Sequence, residues 1–383
     1  MPIDKRWVIK PQGESEKVAN LSSQLNIPPV LANLLVQRGI ETYNEATRFF
    51  NPKLSDLHDP FLMKDMDKAV ERIDKAVRTG EKIMVYGDYD VDGCTAVALV
   101  YTFLRSRGHQ NLTFYIPDRY TEGYGVSISS IDYAERKGVS LVIALDCGIK
   151  AVEKVAYAKT KGIDFIICDH HLPGDSIPEA VAVLDPKRED CHYPFDELSG
   201  CGVGFKLMQG YAQKRGVPFS EVEKLLDLVV VSTAADIVPL TGENRILAYY
   251  GLKRLNDAPR KGLSSIIRIC GLDKHIITID DIVFKIGPRI NAAGRMRVDP
   301  ADPDAAPSGG HKAVEMLIER DETEAKKCGD IIDEFNQSRK SIDRNVTQEA
   351  HDIIEGSEEM KSHKSIVIYN PKWMKGIVGI VAS

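Results

Sequence analysis

The chain has 383 residues, of which 43% are hydrophobic and 28% charged, and its formal net charge is −6. This length predicts two or three domains, and this composition is that of a soluble globular protein with a substantial core. The longest apolar run, at residues 225–231, is far short of the roughly 20 residues that a membrane span requires, so we expect no membrane segment. An acidic protein does not coat nucleic acid with a broad basic surface, and any such contact should lie in a local groove.

The N-terminus and the cysteines both predict a cytoplasmic protein. The first ten residues, MPIDKRWVIK, contain no signal-peptide h-region. The 7 cysteines are scattered and include no C-x-x-C pair, so neither a zinc ribbon nor a disulfide framework is indicated.

Residues 1–70 are predicted to form an N-terminal cap of helices and extended segments, and a catalytic domain is predicted at 71–321. From residue 82, short apolar runs alternate with longer amphipathic ones. Strands are predicted at residues 82–86, 112–116, 141–145, 164–168 and 181–184, with helices near 94–107, 127–137 and 150–161 between the first four. This alternation predicts an α/β fold with a mostly parallel sheet and helices on both faces.

The second half of the chain reads as helical. Helices are predicted at residues 202–215, 220–235, 244–256, 262–270 and 311–321. Residues 298–310 are rich in Pro, Gly, Ala and Asp, a composition that predicts a flexible surface loop.

A long amphipathic segment follows, with apolar side chains at steps of three or four from Cys328 to Ile353. We interpret residues 322–356 as a helix that connects two domains, and one more packed helix of the first domain stays open as the alternative. A strand is predicted at 365–369, so residues 357–383 are expected to begin a second α/β domain that this chain includes only in part.

The stretch GDYDVDGCT, residues 87–95, holds three aspartates at alternate positions. It matches the opening of an EF-hand calcium loop, but Leu99 stands where the loop needs a bidentate Glu, and KIMVY before it is strand-like. The nucleophile motif of haloacid-dehalogenase-type phosphatases, with Asp90 as nucleophile, expects Thr or Val where Cys94 stands. This second interpretation stays open.

Each predicted strand except the second is followed at its carboxyl end by a polar cluster. The clustered residues are Asp88, Asp90 and Asp92, then Asp146, then Asp169, His170 and His171, then Asp185. The carboxyl ends of parallel strands line one crevice, so we expect these side chains to converge. Carboxylates that close raise one another's pKa unless a cation neutralises them. Oxygen ligands with one or two imidazoles favour two Mn²⁺ or Mg²⁺ ions.

Two aspartates need separate interpretations. Asp185 precedes Pro186 and reads as a turn or helix N-cap. Asp236 ends the apolar stretch LLDLVVVSTAAD, where a buried carboxylate requires a metal or a hydrogen-bonded partner.

These residues carry a family resemblance. GDYDVDG, ALDCG, the DHH of residues 169–171 and STAADIVPL resemble, in order, the four motifs of the DHH phosphoesterase superfamily. YIPDRYTEGYG, LSGCGVGFKL, KIGPRINAAGRM and WMKGIVGIVAS are similar to its RecJ branch of single-strand-specific 5′ to 3′ DNA exonucleases. The resemblance runs from about residue 30 to the end of the chain.

The resemblance implies two-metal hydrolysis of a phosphodiester in DNA repair and recombination. The implied metal ligands are Asp90, Asp92, Asp146, His170 and Asp236, and Asp169 would orient its neighbours. The implied phosphate-binding residues are His171, Arg119, Arg289, Asn291 and Arg295. Asp88, in a supporting role, and Ser383 are further candidates for the site.

Taken without the resemblance, the local sequence of two of these segments allows other interpretations. GPRINAAGR predicts a turn that leads into a helix. LSGCGVG looks like a phosphate loop, but Phe205 replaces the third glycine of G-x-G-x-x-G.

Two departures from the family pattern matter. Some members carry a His four places before the residue that matches Asp90, and here that place is Tyr86, which implies one imidazole fewer at the first ion. WMKGIVGIVAS ends where the family continues into a DHH-associated domain and an OB-fold, so we expect the catalytic core and the start of the next domain.

Several functions therefore remain to be distinguished. The first is a single-stranded-DNA exonuclease, a monomer that acts on 5′ ends, with a single-strand-binding protein and a helicase as implied partners. The rivals are a DHH-family phosphodiesterase of oligoribonucleotides or cyclic dinucleotides and a non-catalytic nuclease-like binding subunit.

Overall fold

The computed structural model describes residues 6–296 and 308–382. The chain divides into two compact units, Met1–Leu57 and His58–Ser383. The described part of the first unit consists of helices α1 Ser15–Leu25, α2 Pro29–Val36 and α3 Tyr43–Phe50 and a 3-10 turn at Leu54–Asp56. Its small core is formed by Leu21, Ala32, Leu35, Val36, Ile40 and Ala46. The predicted cap extended to residue 70, whereas this compact unit ends at Leu57.

The second unit is built on a five-stranded parallel sheet, which confirms the predicted α/β fold. The strands are β1 Ile83–Gly87, β2 Leu112–Tyr115, β3 Leu141–Leu145, β4 Asp164–Cys168 and β5 Ala182–Leu184, in the spatial order β2-β1-β3-β4-β5. Gly87 pairs with Leu145, Leu145 with Cys168, and Cys168 with Leu184. The carboxyl ends of four strands are therefore level at one edge of the sheet.

Helices cover both faces of this sheet. A 3-10 turn at Pro60–Leu62 precedes α4 Met66–Thr79, and the helices between the strands are α5 Val91–Ser106, α6 Ile128–Arg136 and α7 Val152–Thr160. Side chains at alternate strand positions, such as Met84 and Ala144, join Ile131 of α6 and Val155 of α7 in one core. The other face packs against α4, α5 and the helix α8 Gly200–Lys214.

The rest of the unit is helical, as predicted. The helices after α8 are α9 Phe219–Glu223, α10 Leu226–Ala235, α11 Gly242–Asp257, α12 Lys261–Ile269, α13 Ile279–Asp281, α14 Gly287–Ala293, α15 Gly309–Ile318, α16 Glu322–Glu355, α17 Glu358–Ser362 and α18 Lys375–Val381. The single helix predicted at 220–235 is two helices, α9 and α10. Residues 297–307, most of the predicted flexible loop, lie outside the described residues.

GPRINAAGR is predicted to be a turn that leads into a helix; the helix is present, but the residues before it are already helical, so the turn is wrong. Gly287–Ala293 forms α14, which continues from a π-helical turn at Ile282–Ile286. Because the helical run is continuous here, Pro288 cannot donate the backbone hydrogen bond of a regular helix, and the π-helical turn lies directly before it.

Helix α16 is 34 residues long and contacts α12, α14, α15 and α18 within the second unit. Its buried residues include Ile332, Val346 and Ala350, which belong to the predicted apolar stripe. Its role as a connector between domains remains a prediction.

The strand predicted at 365–369 is not found among the described residues, which are irregular there. Val367 and Tyr369 are exposed. A strand requires a hydrogen-bonded neighbour, and residues of high strand propensity do not supply one by themselves. Among the described helices, none combines the length and the apolar character of a membrane span.

Candidate metal centre

The aspartate-rich stretch after β1 turns directly into α5. Asp90 is the N-cap of this helix, and its side chain accepts the backbone N–H of Gly93 at 3.0 Å. A Cβ on Gly93 would lie 2.3 Å from the carbonyl oxygen of Asp88, so only glycine permits so tight a turn. KIMVY before this turn is almost wholly strand, as expected, and not the helix that an EF-hand requires.

Asp92 is fixed by a segment far away in the sequence. Its carboxylate accepts the N–H groups of Gly200 at 2.6 Å and Cys201 at 2.7 Å, and the hydroxyl of Ser232 at 2.7 Å. The LSGCG segment that resembled a phosphate loop is thus the start of α8, and its free N–H groups bind a carboxylate of the chain itself.

Asp146 follows β3 in a left-handed backbone conformation, with φ 58°. Non-glycine residues rarely adopt this conformation, and such strain is concentrated at functional sites. Its Oδ1 lies 3.2 Å from Nε2 of His170. A Cβ on Gly200 would lie 2.6 Å from Cβ of Asp146, so α8 begins in close contact with this residue.

His170 lies among the carboxylates. Its Nε2 is 3.6 Å from Oδ2 of Asp92 and 3.7 Å from Oδ2 of Asp236. Burial lowers its pKa, which favours the neutral imidazole that can bind a metal. Possible ligand atoms of Asp92, His170 and Asp236 lie within 4.8 Å of one another, and so do those of Asp146, His170 and His171.

The acidic groups raise one another's pKa. Burial and then the charges of Asp92 and Asp90 raise the pKa of Asp146 well above its usual value, and the same causes raise that of Asp236 to about 7. Burial and the charge of Asp92 also raise the pKa of Asp90. Asp236, the C-cap of α10, is only half-buried, contrary to the expectation from its apolar stretch, and it lies beside these carboxylates.

Asp169 holds the DHH segment together. One oxygen accepts the N–H of His170 at 2.8 Å and lies 2.7 Å from Nδ1 of His171, and the other accepts the N–H of Ile149 at 2.9 Å. Burial alone would raise the pKa of Asp169, but these hydrogen bonds and the charge of His171 keep it below the usual value. The same hydrogen bond raises the pKa of His171.

Two more strand-end aspartates are buried. Asp88 is 1% exposed, its Oδ1 has no hydrogen-bond partner among the described residues, and burial and the charge of Asp90 raise its pKa to about 8. Asp185 accepts the N–H of Lys187 at 2.8 Å, the turn contact expected of it, and burial raises its pKa to about 7. Tyr86, at the departure from the family pattern, donates its hydroxyl to the carbonyl of Gly125 at 2.8 Å.

The predicted phosphate-binding residues take different positions. Arg119 lies over the ring of Tyr89 at 4.6 Å from its centroid. Burial, then the charges of Arg119 and Arg339, lower the pKa of Arg295, and the charge of Asp90 acts against this. These arginines therefore border the carboxylates. Ser383 lies outside the described residues.

Asn291 and Arg289 bind other parts of the chain. Oδ1 of Asn291 accepts the N–H of Val91 at 3.0 Å, at the start of α5. Nε of Arg289 is 2.9 Å from Oδ1 of Asp333 on α16.

Sequence reasoning did not find Ser232 or Arg339. A hydroxyl in the apolar run of α10 was the only available signal for Ser232. Arg339 is one of many charged residues on α16, and nothing in the sequence around it distinguishes it from the others.

The residues present fit divalent cations. The carboxylates of Asp92, Asp146 and Asp236 surround one imidazole nitrogen, that of His170, and the carboxylate of Asp90 borders them. The pKa values of Asp90, Asp146 and Asp236 are raised, as expected for carboxyl groups without a neutralising cation. The cluster straddles the gap between β1 and β3, where the strand order reverses and open α/β sheets bind ligands.

The fold and the site together define a class, that of α/β domains whose sheet edge is suited to hold divalent cations. Residues 82–233 match the family model described as DHH family, N-terminal domain. This part of the chain is a DHH-family domain, and nearly the whole chain is similar to RecJ proteins.

Similar proteins include the single-stranded-DNA-specific exonucleases RecJ of Bacillus subtilis, 40% identical over 99% of this chain and 45% of the relative, and of Escherichia coli, 34% identical over 97% and 63%. The chain thus spans about half to two thirds of the length of these relatives. A crystal structure of exonuclease RecJ bound to manganese is similar, with a TM-score of 0.74 and 28% identity over 86% of this chain and 78% of that one. RecJ of Thermus thermophilus in complex with Mn²⁺ gives a TM-score of 0.82 and 25% identity over 100% of this chain and 52% of that one.

Proposed function

We propose that this chain is the catalytic region of a metal-dependent exonuclease that degrades single-stranded DNA from its 5′ end, in DNA repair and recombination. The observation that carries the proposal is the convergence of Asp90, Asp92, Asp146, His170 and Asp236 at one sheet edge. Relatives that match nearly the whole chain are named single-stranded-DNA-specific exonucleases, which supports the same substrate here.

The proposed cofactors are two Mn²⁺ or Mg²⁺ ions, held by these five residues. Solved RecJ structures with Mn²⁺ support this assignment. When bound, such ions activate a water molecule and stabilise the charge of the displaced phosphodiester.

The protein's own contribution is to fix the ligands and to hold the substrate. Three hydrogen bonds keep Asp92 in one orientation. The hydrogen bond that Asp169 accepts from Nδ1 of His171 keeps this imidazole in place beside the cluster, where in its protonated form it would contact a phosphate. Arg119 and Arg295 border the cluster from the Asp90 side, and their planar guanidinium groups suit phosphate oxygens.

Digestion of 5′-labelled single strands with Mn²⁺ tests this proposal. We expect release of short products from the 5′ end, and loss of activity by at least a hundredfold in Asp146→Asn, because that carboxylate would hold the metal. Lys159→Ala, a surface change on α7, serves as the control. Equal activity of the Asp146→Asn protein and the unsubstituted protein would contradict a metal-dependent mechanism in which Asp146 is a ligand.

The same assay separates the rivals. Preference for dinucleotides or cyclic dinucleotides over long strands would select the oligoribonuclease or cyclic-dinucleotide phosphodiesterase. Tight Mn²⁺ binding without turnover would indicate a non-catalytic binding subunit. A covalent phosphate on Asp90, detected by mass spectrometry, would indicate the dehalogenase-type phosphatase, although the side chain of Asp90 is engaged in capping α5.

We further propose a cytoplasmic monomer that acts with a single-strand-binding protein and a helicase. Light scattering of the purified chain tests the monomer, since a dimer would double the measured mass. Co-purification with each protein on single-stranded DNA tests the partners, and elution at the position of the chain alone would contradict them.

A further inference from the structure

A cavity of about 200 Å³ lies directly beside the metal cluster. His171 and Asp169 of the DHH segment form part of its wall, so the cavity and the cluster share residues. Val126, Ile149 and Ala151 add apolar surface. Such a space can take a small organic group next to the reacting phosphate.

Two lysines also line the cavity: Lys150, just before α7, and Lys154, in the first turn of that helix. In the described part of the chain, neither has a carboxylate within ion-pairing distance. Two other lysines at the far end of α7 do, since Lys159 lies 3.6 Å from Glu179 and Lys161 lies 3.0 Å from Glu135. The charges beside the cavity are therefore available to an anion from outside.

These lysines do not serve to neutralise the cluster. The carboxylates of Asp92 and Asp169 bind backbone N–H groups, a hydroxyl and an imidazole instead. A pair of cations placed near a strongly acidic site, yet not bonded to it, lowers the electrostatic cost of bringing a polyanion there.

The two sides of the cluster differ in access. On the Asp90 side, the guanidinium group of Arg295 donates to the carbonyl of Gly376 in α18 at 3.0 Å, so that side is covered by helices. On the other side, Lys150 is exposed and Tyr124 is 54% exposed. A strand whose end lies on the covered side would continue over the exposed one.

We propose that this cavity binds the nucleotide that follows the scissile phosphate, with its deoxyribose against the apolar wall and its 3′ phosphate at Lys150 and Lys154. This inference rests on the proposed function and adds to it the path of the strand. It predicts contact with the second internucleotide phosphate.

The test combines a change in the protein with a change in the DNA. Lys150→Ala/Lys154→Ala and the control Lys159→Ala, at the far end of the same helix, are compared with the unsubstituted chain. Each binds single strands in which the second linkage is either a normal phosphate or an uncharged methylphosphonate, with a 5′ phosphate or a 5′ hydroxyl. Binding is followed by fluorescence anisotropy with and without Mn²⁺, and digestion is measured in parallel.

We expect the methylphosphonate to weaken binding by the unsubstituted chain and by the control roughly tenfold. The double variant should bind the normal strand as weakly and lose nothing further with the methylphosphonate. Its dependence of log affinity on log salt should also be shallower by roughly 0.7 for one lost phosphate contact. Full additivity of the two changes would overturn the proposal, and so would coupling to the 5′ phosphate instead of the second linkage.

The binding measurement tests the cavity, and the digestion measurement tests the exonuclease, so the two proposals can be contradicted independently. Coupled binding without any digestion would support the cavity and contradict the exonuclease. Digestion without coupling would support the exonuclease and overturn the assignment of the cavity.

Discussion

At the scale of single residues, the site depends on side chains held where they are individually unfavourable. Asp146 has a left-handed backbone, and so does Ile237, the residue after Asp236, with φ 58°. Ile237 is also 78% exposed, so packing does not offset the strain of a β-branched residue in this conformation.

Replacing Ile237 with glycine should therefore stabilise the protein. We expect the free energy of unfolding to rise by about 1 kcal/mol in the metal-free chain, because glycine adopts positive φ without strain. Denaturant unfolding with a chelator present measures the change.

Ile276→Gly provides the matched control, since Ile276 is 83% exposed and is absent from the positive-φ residues. That substitution should destabilise or leave the protein unchanged, because glycine gains freedom in the unfolded chain. A loss of stability in Ile237→Gly equal to that in Ile276→Gly would show that φ is not the cause.

Arg289 offers a second residue-scale prediction. Because it pairs with Asp333, we expect Arg289→Gln and Asp333→Asn to lower stability by a similar amount, about 1 kcal/mol, and the double variant to lose no more than either. Denaturant unfolding of the three variants measures this.

Binding of single-stranded DNA distinguishes Arg289 from Arg295. Arg295→Gln should reduce the salt dependence of binding, since Arg295 lies beside Asp90 and is proposed to meet phosphate. A reduction of the same size in Arg289→Gln but not in Asp333→Asn would assign phosphate binding to Arg289 as well.

At the scale of elements, the first turn of α8 positions the metal ligands. Gly200 touches Asp146, and its N–H binds Asp92. We expect Gly200→Ala to weaken Mn²⁺ binding roughly 10-fold to 100-fold, the range typical of groups that orient metal ligands. Calorimetric titration with Mn²⁺ measures the affinity.

Gly202→Ala in the same helix is the control. A Cβ there would meet its nearest neighbours at 3.4 Å, an ordinary contact, and alanine favours helix over glycine by about 1 kcal/mol. We expect stability to rise and Mn²⁺ affinity to stay the same. Equal loss of affinity in both variants would point to a general effect of alanine in α8.

The elements also show what the sequence could predict. Strands β3 and β4 have the predicted bounds, β2 and β5 differ by one residue at one end, and β1 is shifted by one residue, because apolar runs between polar turns are a local signal. Alternation with helices then implied the parallel order and the convergence of strand ends. The hydrogen bonds from Gly200 and Ser232 to Asp92 join residues 108 and 140 positions apart, and no local pattern carries such pairings.

The misses have the same physical cause. A turn is predicted before the helix in GPRINAAGR because Gly and Pro mark turns locally, yet a π-helical turn continues directly into α14. Residues 365–369 have the composition of a strand, but a strand also needs a hydrogen-bonded neighbour, which depends on the tertiary structure.

At the scale of the whole molecule, the buried carboxylates link stability to pH. Asp88, Asp185 and Asp236 have pKa values raised to about 8, 7 and 7 by burial. A carboxyl with a folded pKa above its unfolded value holds its proton more tightly when folded, so the free energy of unfolding falls as pH rises toward the folded pKa.

We therefore expect the Tm of the chelated protein to fall by roughly 5 °C between pH 6 and pH 8.5. Added Mn²⁺ at pH 8.5 should restore it, because the cation replaces the lost protons as the neutralising charge. Differential scanning calorimetry follows both changes.

Asp185→Asn, a change outside the proposed ligands, should make this fall smaller, since it removes one of the titrating groups. A Tm that stays level or rises over this pH range in the chelated protein would contradict the role of these carboxylates.

The anchoring of Asp92 also bears on the order of events during synthesis. Asp92 emerges from the ribosome early, but its hydrogen-bond partners Gly200 and Ser232 are translated 108 and 140 residues later. Nascent chains that stop before α8 contain the aspartate-rich stretch without any of these groups, and those that stop before α10 still lack Ser232. Tight metal binding should thus begin only after residue 236 has left the exit tunnel. The Mn²⁺ affinity of a nascent chain would therefore report whether this domain is complete.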